Sequence, residues 1–230
     1  HSDIVQGIHA RPRSGRREPD GAIRLAGDGL VTDRPGLLLA VQVADCFPLL
    51  LVDPRRHVVA NVHAGWRGTL RRIAEKAVGR MVQEFGSDPG DLRAVLGPGI
   101  RRCCYQVGRE VAEAFEGRFS YWEDLLYSRE PSPSEVHWQQ PLFSLEKGGP
   151  RPRPAVTSPE GEKYHLDLEE ANRRQLLSAG LRRENIWVSG FCTACRSDTF
   201  FSHRAEAGRT GRMMSVVGVR WSRPRRAQGR

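Results

Sequence analysis

The sequence predicts an α/β protein built on a mixed β-sheet. Two apolar runs, 49–52 and 58–62, flank the polar residues 53–57, which is typical of a strand, a turn and a second strand. A helix follows, because apolar residues recur three and four positions apart between Leu70 and Phe85. Strands and helices then alternate without a strict βαβ rhythm, which favours a sheet with mixed strand directions.

The remaining elements can be placed in chain order. Residues 11–28 are polar and basic and predict a loop, whereas the apolar run 37–43 predicts a buried strand that ends at residues 44–46. The amphipathic helix is expected over residues 69–85, with Gly86 placed to end it. The later predictions are a strand at 92–96, a weak helix at 107–115, a helix from Asp167 to Leu177 with Glu170 as capping-box partner and Gly180 behind it, and strands at 186–188 and 214–219.

We expect a single domain over residues 1–220, because 230 residues suit one large domain. Residues 117–162 are rich in Pro, Ser and Gly and predict an insertion within that domain, and residues 221–230 predict a basic tail. The first residue is His1 rather than methionine, so we expect the numbering to begin inside a longer gene product or after a removed segment.

Composition excludes some classes of protein. The net charge of +9 comes from 33 Arg and 3 Lys that are spread along the chain, which argues against a nucleic-acid partner and for a solvated surface. The sequence has no apolar run of membrane-spanning length and no signal-peptide pattern, so a cytoplasmic protein without a membrane partner is expected. The odd number of cysteines, 5, predicts reduced thiols.

Cys46 and His63 are the candidate site, because they lie at the ends of neighbouring predicted strands. Thiolate and imidazole bind zinc or copper, and three protein ligands that leave one position open are typical of a catalytic metal. Taken alone, the two residues are explained equally well as a buried thiol beside a core histidine. His1, His9 or His165 could supply a third ligand, and the spacing does not choose among them.

Two further segments could bind a substrate. The turn at residues 65–68 would place backbone N–H groups and the Arg67 guanidinium beside His63, where a phosphate or carboxylate could be held. Arg67 could instead pair with a core carboxylate. Residues 200–204 (FFSHR) and 208–212 (GRTGR) combine aromatic rings with cations, although paired aromatics are most often core residues.

The other four cysteines are interpreted as ordinary residues. Cys192 and Cys195 have the CxxC spacing of redox and zinc sites, but the sequence has no second CxxC and the context is not thioredoxin-like. Cys103 and Cys104 are adjacent, cannot readily form a normal disulfide with each other, and are predicted to serve in packing.

Taken in order, these motifs resemble the YfiH-like family, whose members are also called multicopper polyphenol oxidoreductases, laccase-domain proteins and purine nucleoside phosphorylases. The resemblance runs from His1 to Val219, and the spacing from Cys46 to HAGWRG is its most specific part. The motifs are ADC at 44–46, VHAGWRG at 62–68, LGPGI at 96–100, CCY at 103–105, HLDL with AN at 165–172, and FFSHR with TGR at 200–212.

The resemblance implies a four-layer α/β/β/α sandwich and a His-Cys-His metal site. The family's first histidine lies in a segment whose pattern residues 1–5 fit and residues 7–10 do not. This implies His1, Cys46 and His63 as ligands of zinc, with copper as the alternative metal. The implied catalytic residues are Cys46, His63 and Arg67, and the implied substrate-binding residues are Gly68, Phe201, His203, Arg204 and His165.

The implied activity is zinc-dependent phosphorolysis of adenosine, inosine and methylthioadenosine, with adenosine deamination as a companion activity. The expected partners are therefore a purine nucleoside and phosphate, and a monomer is expected. Two departures from the family matter: its segment before the first histidine is absent here, and residues 117–162 are longer than is usual. The first bears on whether His1 can bind a metal, and the second on the shape of the pocket mouth.

Three alternatives stay open on the residues alone. A copper-dependent polyphenol oxidase is disfavoured, because the 7 histidines include no His-x-His pair. A Cys46–His63 pair without metal could run covalent hydrolysis. A basic nucleic-acid-binding protein would lose affinity steeply with salt and would not depend on Cys46.

Overall fold

The computed structural model of the chain describes residues 2–10, 15–17, 21–127 and 163–220. Within them the strands are β1 (Val5–Gly7), β2 (Arg16–Arg17), β3 (Ile23–Arg24), β4 (Gly29–Thr32), β5 (Leu38–Val43), β6 (Phe47–Asp53), β7 (Val58–Ala64), β8 (Arg93–Leu96), β9 (Gln106–Gly108), β10 (Leu126–Tyr127), β11 (Lys163–Leu166), β12 (Ile186–Val188) and β13 (Met213–Gly218). The α-helices are α1 (Trp66–Leu70), α2 (Ile73–Phe85), α3 (Arg109–Glu116) and α4 (Leu168–Ser178), and single 3₁₀ turns occur at Pro89–Asp91, Trp122–Asp124 and Arg183–Asn185. The predicted α/β class is confirmed.

The central sheet has six strands in the order β1-β4-β7-β6-β8-β12. Its two outer pairs, β1 with β4 and β8 with β12, are parallel, and the inner pairs are antiparallel. The predicted strand, turn and strand of residues 49–62 is therefore confirmed as the β6–β7 hairpin in the middle of this mixed sheet. Strands β6 and β7 are buried along most of their length, which explains their continuous apolar sequences.

A two-stranded antiparallel sheet, β5 with β13, stacks on one face of the central sheet. Asn61 of β7 joins the two layers, because its side-chain amide donates to the carbonyls of Leu39, at 3.0 Å, and Ser215, at 2.8 Å. Side chains alternate along a strand, so the neighbours Ala60 and Val62 face the opposite side, where they join the core formed with α2. The central sheet thus lies between helices and a second sheet.

The helix predicted over residues 69–85 is interrupted. Helix α1 ends at Leu70, Arg72 adopts a left-handed conformation with φ +61°, and α2 begins at Ile73. The carbonyl of Thr69 accepts a hydrogen bond of 2.7 Å from the side chain of Gln175 on α4, a tertiary contact that the periodicity cannot reveal. The predicted end at Gly86 is confirmed, with φ +68° and the hydrogen bonds expected of a left-handed cap.

The third sheet, β10-β11-β9, leads into α4. The predicted N-cap of that helix is confirmed, because Asp167 accepts a hydrogen bond of 3.0 Å from the backbone of Glu170. The capping box is not completed, because the Asp167 backbone N–H donates to the Leu125 carbonyl and the Glu170 carboxylate pairs with neighbouring arginines of α4. Residues 128–162 of the expected insertion lie outside the described residues, as does the tail at 221–230. The first part of the insertion is described and belongs to the core, since Phe119 and Leu125 are buried.

Three layers are visible among the described residues: helices α1, α2 and α4, the six-stranded sheet, and the β5–β13 sheet. The fourth layer of the expected sandwich remains a prediction. None of the helices in the described parts of the chain is long and apolar enough to cross a membrane.

Candidate active site

Cys46 and His63 are brought together by the register of the β6–β7 hairpin. Pro48 pairs with His63 and Phe47 pairs with Ala64, so Cys46, one residue before β6, faces Gly65. Because alternate residues of a strand share a face, Cys46 and His63 project from the same side of the sheet. A Cβ atom at Gly65 would lie 2.9 Å from Cys46 Sγ and 3.5 Å from His63 Cε1, so the thiol and the ring border the same point.

Asp28 orients the His63 ring from the neighbouring strand. Asp28 precedes β4, and its carboxylate lies 3.0 Å from His63 Nδ1, while the His63 backbone N–H donates to the Asp28 carbonyl at 2.7 Å. Burial opposes ionisation of Asp28, but hydrogen bonds from the Ser2 backbone and from His63 outweigh it and lower the pKa of the carboxyl. The ionised carboxylate can only accept, so Nδ1 carries the proton, and in the neutral form of the ring the lone pair is on Nε2.

The Cys46 thiol lies in a site that disfavours its ionised form. Burial, followed by the negative charges of Asp45 and Asp28, raises the pKa of Cys46 to about 11. At neutral pH the sulfur is therefore protonated unless a cation binds it.

Asp45 ties two distant turns to the site. It adopts a left-handed conformation with φ +80°, which aspartate tolerates better than most residues. Its buried carboxylate accepts from the Thr193 hydroxyl at 2.6 Å, the Ser202 hydroxyl at 2.7 Å and the Arg204 backbone N–H at 2.7 Å. Thr193, Ser202 and Arg204 are thereby held at the residue next to Cys46.

These elements surround a cavity of about 710 Å³. Its volume lies in the range of small-molecule sites in proteins. The wall combines titratable, cationic and aromatic side chains: Arg24, Asp28, Asp45, Cys46, His63, Trp66, Tyr105, His203, Arg204 and Arg212. Arg204 is fixed by a hydrogen bond of 2.8 Å to the Gln106 carbonyl and lies over the Tyr105 ring, 5.6 Å from its centroid.

Comparison with known proteins decides the family. The model of the family described as multi-copper polyphenol oxidoreductase laccase matches residues 1–220. The chain belongs to this family. The resemblance predicted from the motifs is therefore confirmed.

Relatives within the laccase family carry enzyme names. The chain is 34% identical to "Purine nucleoside phosphorylase YlmD" of Bacillus subtilis (strain 168), over 96% of this chain and 68% of that protein. It is 35% identical to "Adenosine deaminase RL5" of an unknown prokaryotic organism, over 94% of this chain and 71% of that protein. The crystal structure of the hypothetical protein YfiH from Bacillus licheniformis matches with a TM-score of 0.69 and 33% identity, over 95% of this chain and 74% of that one.

Two of the residues predicted beside His63 do not line the cavity. Arg67 is exposed and its guanidinium stacks on the Trp66 ring, 4.3 Å from the centroid, so the cation is not part of the described cavity wall. Gly68 is buried in α1, where a Cβ atom would lie 3.3 Å from the Ser2 carbonyl oxygen. Gly68 therefore lets the N-terminal segment pass close to the helix.

The predicted residues at 165 and 201–204 have different positions. His203 and Arg204 line the cavity. Phe201 does not line it: its ring lies against Gly211 and is 46% exposed. His165 is buried on β11, where its Nδ1 lies 2.7 Å from the Arg102 carbonyl, and it also lies outside the described cavity wall. His1 lies outside the described residues.

Sequence reasoning missed several residues of the site. Asp28 lies in a stretch read as a polar loop, and nothing in its local sequence indicates a partner. Asp45 and Tyr105 stand out in the sequence only as parts of motifs, and Arg212 only as part of the segment 208–212, yet all three line the cavity. One available signal was the aspartate directly before the site cysteine, because an acidic residue at the end of a buried strand needs hydrogen-bond donors.

The crowding at Gly65 gives a sharp prediction. Gly65 has φ −84° and ψ 169°, which any residue can adopt, so alanine causes no backbone strain there. Its methyl group would nonetheless displace the Cys46 sulfur. For a reaction that uses the Cys46–His63 pair, we expect Gly65→Ala to lower kcat/KM by roughly 10- to 100-fold, measured by steady-state kinetics, because displacements of this size at a reacting centre have such effects.

Gly79→Ala is the matched control. Gly79 lies within α2, and a Cβ atom there would meet nothing within 4 Å. This variant should keep its activity and gain up to about 1 kcal/mol in the free energy of unfolding, because alanine favours the helix. Wild-type kinetics in Gly65→Ala would contradict the assigned proximity of the sulfur to Gly65.

Proposed function

We propose that this chain is a zinc-dependent purine nucleoside phosphorylase that also deaminates adenosine. The observation that carries the proposal is the cavity, which combines the Cys46–His63 pair with three arginines, Arg24, Arg204 and Arg212. A reaction between a nucleoside and phosphate needs such cations near the reacting centre. The identity to proteins named purine nucleoside phosphorylase and adenosine deaminase supports the same reactions.

Cys46, His63 and His1 are proposed to hold the zinc ion. The donor set of the two described residues fits zinc, because a histidine that donates to a carboxylate through one nitrogen commonly binds a metal through the other. A cation would also let the Cys46 thiol ionise in spite of its raised pKa. Ser2, the covalent neighbour of His1, donates to the Asp28 carboxylate, which supports His1 as the third ligand. When bound, zinc would polarise substrate oxygen and lower the pKa of water.

The cavity wall supplies groups for each part of the substrate. In phosphorolysis a phosphate oxygen forms a bond to the sugar C1′ while the bond from C1′ to the purine nitrogen breaks, and the purine gains a proton. Arg204 and Arg212 are proposed to bind the phosphate in the role first predicted for Arg67, since both line the cavity. Tyr105 and Trp66 offer aromatic surface for a flat base, and His203 is proposed to contact the substrate.

A metal-free cysteine hydrolase is the second candidate, because the thiol of Cys46 lies beside the imidazole of His63, which in turn contacts the carboxylate of Asp28. The raised pKa of Cys46 argues against it, since a nucleophilic cysteine needs a thiolate. Multicopper oxidation is also disfavoured, because His63 and His203 are the histidines that line the cavity among the described residues.

The proposal predicts products that separate these reactions. Purified protein incubated with adenosine should release adenine and ribose 1-phosphate only when phosphate is present, and should form inosine without phosphate. Removal of zinc with 1,10-phenanthroline should lower both rates by at least about 10-fold, and added zinc should restore them. The products are measured by chromatography.

The His63→Asn protein, purified in the same way, is the control for a contaminating phosphorylase, because a contaminant would give the same products with the variant. Absence of both adenine and inosine from the wild-type reaction would refute the proposal. Activity that survives chelation, together with inactivation by iodoacetamide that phosphate does not prevent, would favour the cysteine hydrolase.

A further inference from the structure

Four cysteines from two loops meet at one point beside the cavity wall. Cys103 and Cys104 lie between β8 and β9, and Cys192 and Cys195 lie between β12 and β13. Their sulfur atoms all lie within 4.8 Å of one another, and Cys195 Sγ is 3.6 Å from Cys103 Sγ and 3.3 Å from Cys104 Sγ. Cys103 and Cys192 are buried and the other two are half-buried.

The separation of the sulfurs suits a single metal ion. Zinc–thiolate bonds are about 2.3 Å long, so four tetrahedral sulfurs lie about 3.8 Å apart. The sulfurs of Cys104 and Cys195 are closer than this, at 3.3 Å, and no two of the four sulfurs are more than 4.8 Å apart. Small side-chain movements would therefore complete the tetrahedron. A polynuclear iron–sulfur cluster would need more space between the sulfurs. An arrangement of four thiolates is selective for soft ions such as zinc.

Packing alone does not account for the arrangement. The cysteines do join a small apolar cluster with Ile100 and Ala194. Apolar packing has no direction, however, and gives no reason for four sulfur atoms to converge on one point. The backbone N–H of Arg101 also points at Cys192 Sγ, at 3.5 Å, as expected for a group that stabilises a thiolate ligand.

Cys192 and Cys195 lie in a long loop, between β12 and β13, that a bound metal would hold in place. Residues 189–212 contain no helix or ladder strand, which is unusual for so long a segment in a compact domain. This loop brings Thr193, Ser202 and Arg204 to Asp45. Near its start, this loop pairs through the backbone of Cys192 with Gly99 in the loop between β8 and β9, which carries the other two cysteines. A metal bound to both loops would fix the base of this part of the cavity wall.

We propose that Cys103, Cys104, Cys192 and Cys195 bind a structural Zn²⁺ ion. Binding replaces the four thiol protons with one cation and releases the protons to solvent, with no change of oxidation state. The site shares no ligand with Cys46 and His63. The two proposed zinc sites can therefore be tested separately.

The test compares the zinc content of full-length proteins purified under reducing conditions. Wild type and Cys46→Ser should both keep the zinc bound by the four cysteines, whereas Cys104→Ser/Cys195→Ser should lose one zinc ion per chain, measured by plasma mass spectrometry. The double variant should also melt lower by on the order of 10 °C, because binding of a structural metal contributes to folding.

A measurement on Cys46→Ser keeps the proposal testable if the double variant does not fold. Its X-ray absorption spectrum should report zinc with four sulfur neighbours at about 2.3 Å. Alkylation under denaturing, non-reducing conditions should modify all four remaining cysteines. Zinc-free Cys46→Ser, zinc with nitrogen or oxygen neighbours, or an intact mass two hydrogens lower that marks a disulfide would each overturn the proposal.

Discussion

Replacing His63 with asparagine is expected to lower kcat/KM for the proposed phosphorolysis and deamination by about 1000-fold or more. The imidazole is proposed to be a zinc ligand, and its orientation depends on the 3.0 Å contact with Asp28. Asparagine is too short to reach the same point from β7, so both the metal and the geometry around Cys46 would be lost. Steady-state kinetics with adenosine and inosine, together with zinc content, measure the effect.

His57→Asn is the matched control for this experiment. His57 lies in the turn of the same β6–β7 hairpin, is exposed, and has φ +55°, a conformation that asparagine tolerates. This variant should keep wild-type kinetics and zinc. If His63→Asn retained more than about a tenth of the activity, the proposed role of the ring in catalysis would be wrong.

Asp45→Asn is expected to have the second-largest effect. The carboxylate accepts three hydrogen bonds inside the protein, and an amide offers one oxygen acceptor and an NH₂ group that would oppose the existing donors. Each buried donor left without an acceptor costs about 1–3 kcal/mol. Displacement of Arg204 and its neighbour His203 from the cavity wall should lower kcat/KM by roughly 100-fold.

Asp53→Asn separates this positioning effect from loss of stability. Asp53 is also buried, but it lies at the other end of β6, where it accepts from the backbone N–H groups of Arg55 and Arg56 at 2.9 Å. We expect both variants to melt at lower temperature and only Asp45→Asn to lose activity when assayed well below its melting temperature. Equal kcat/KM in the two variants would show that Asp45 acts only on stability.

Local features of the fold follow from the sequence. The β6–β7 hairpin, the end of α2 at Gly86 and the Asp167 cap all depend on residues within a few positions of one another. Antiparallel pairing of two apolar runs across a short turn then brings Cys46 near His63. The central pair of the candidate site was predictable for this reason.

Other parts depend on contacts that no local pattern encodes. The break between α1 and α2 involves Gln175 of α4, and nothing between residues 69 and 85 marks it. The sequence favours Arg67 as an anion ligand because it follows His63 by only four residues. Successive residues of a helix point in different directions, however, and the Arg67 side chain stacks on the ring of Trp66.

The sequence by itself determined the class of the fold, the family and the pairing of Cys46 with His63, because periodicity, turns and motifs act over short distances along the chain. Only the tertiary structure decided that Asp28 orients the histidine, that Asp45 holds residues 193–204, and that Cys103 and Cys104 meet Cys192 and Cys195. These groups are far apart in the sequence and meet because the central sheet and its loops close around them. Their hydrogen bonds form, and the proposed metal ligands meet, only after that closure.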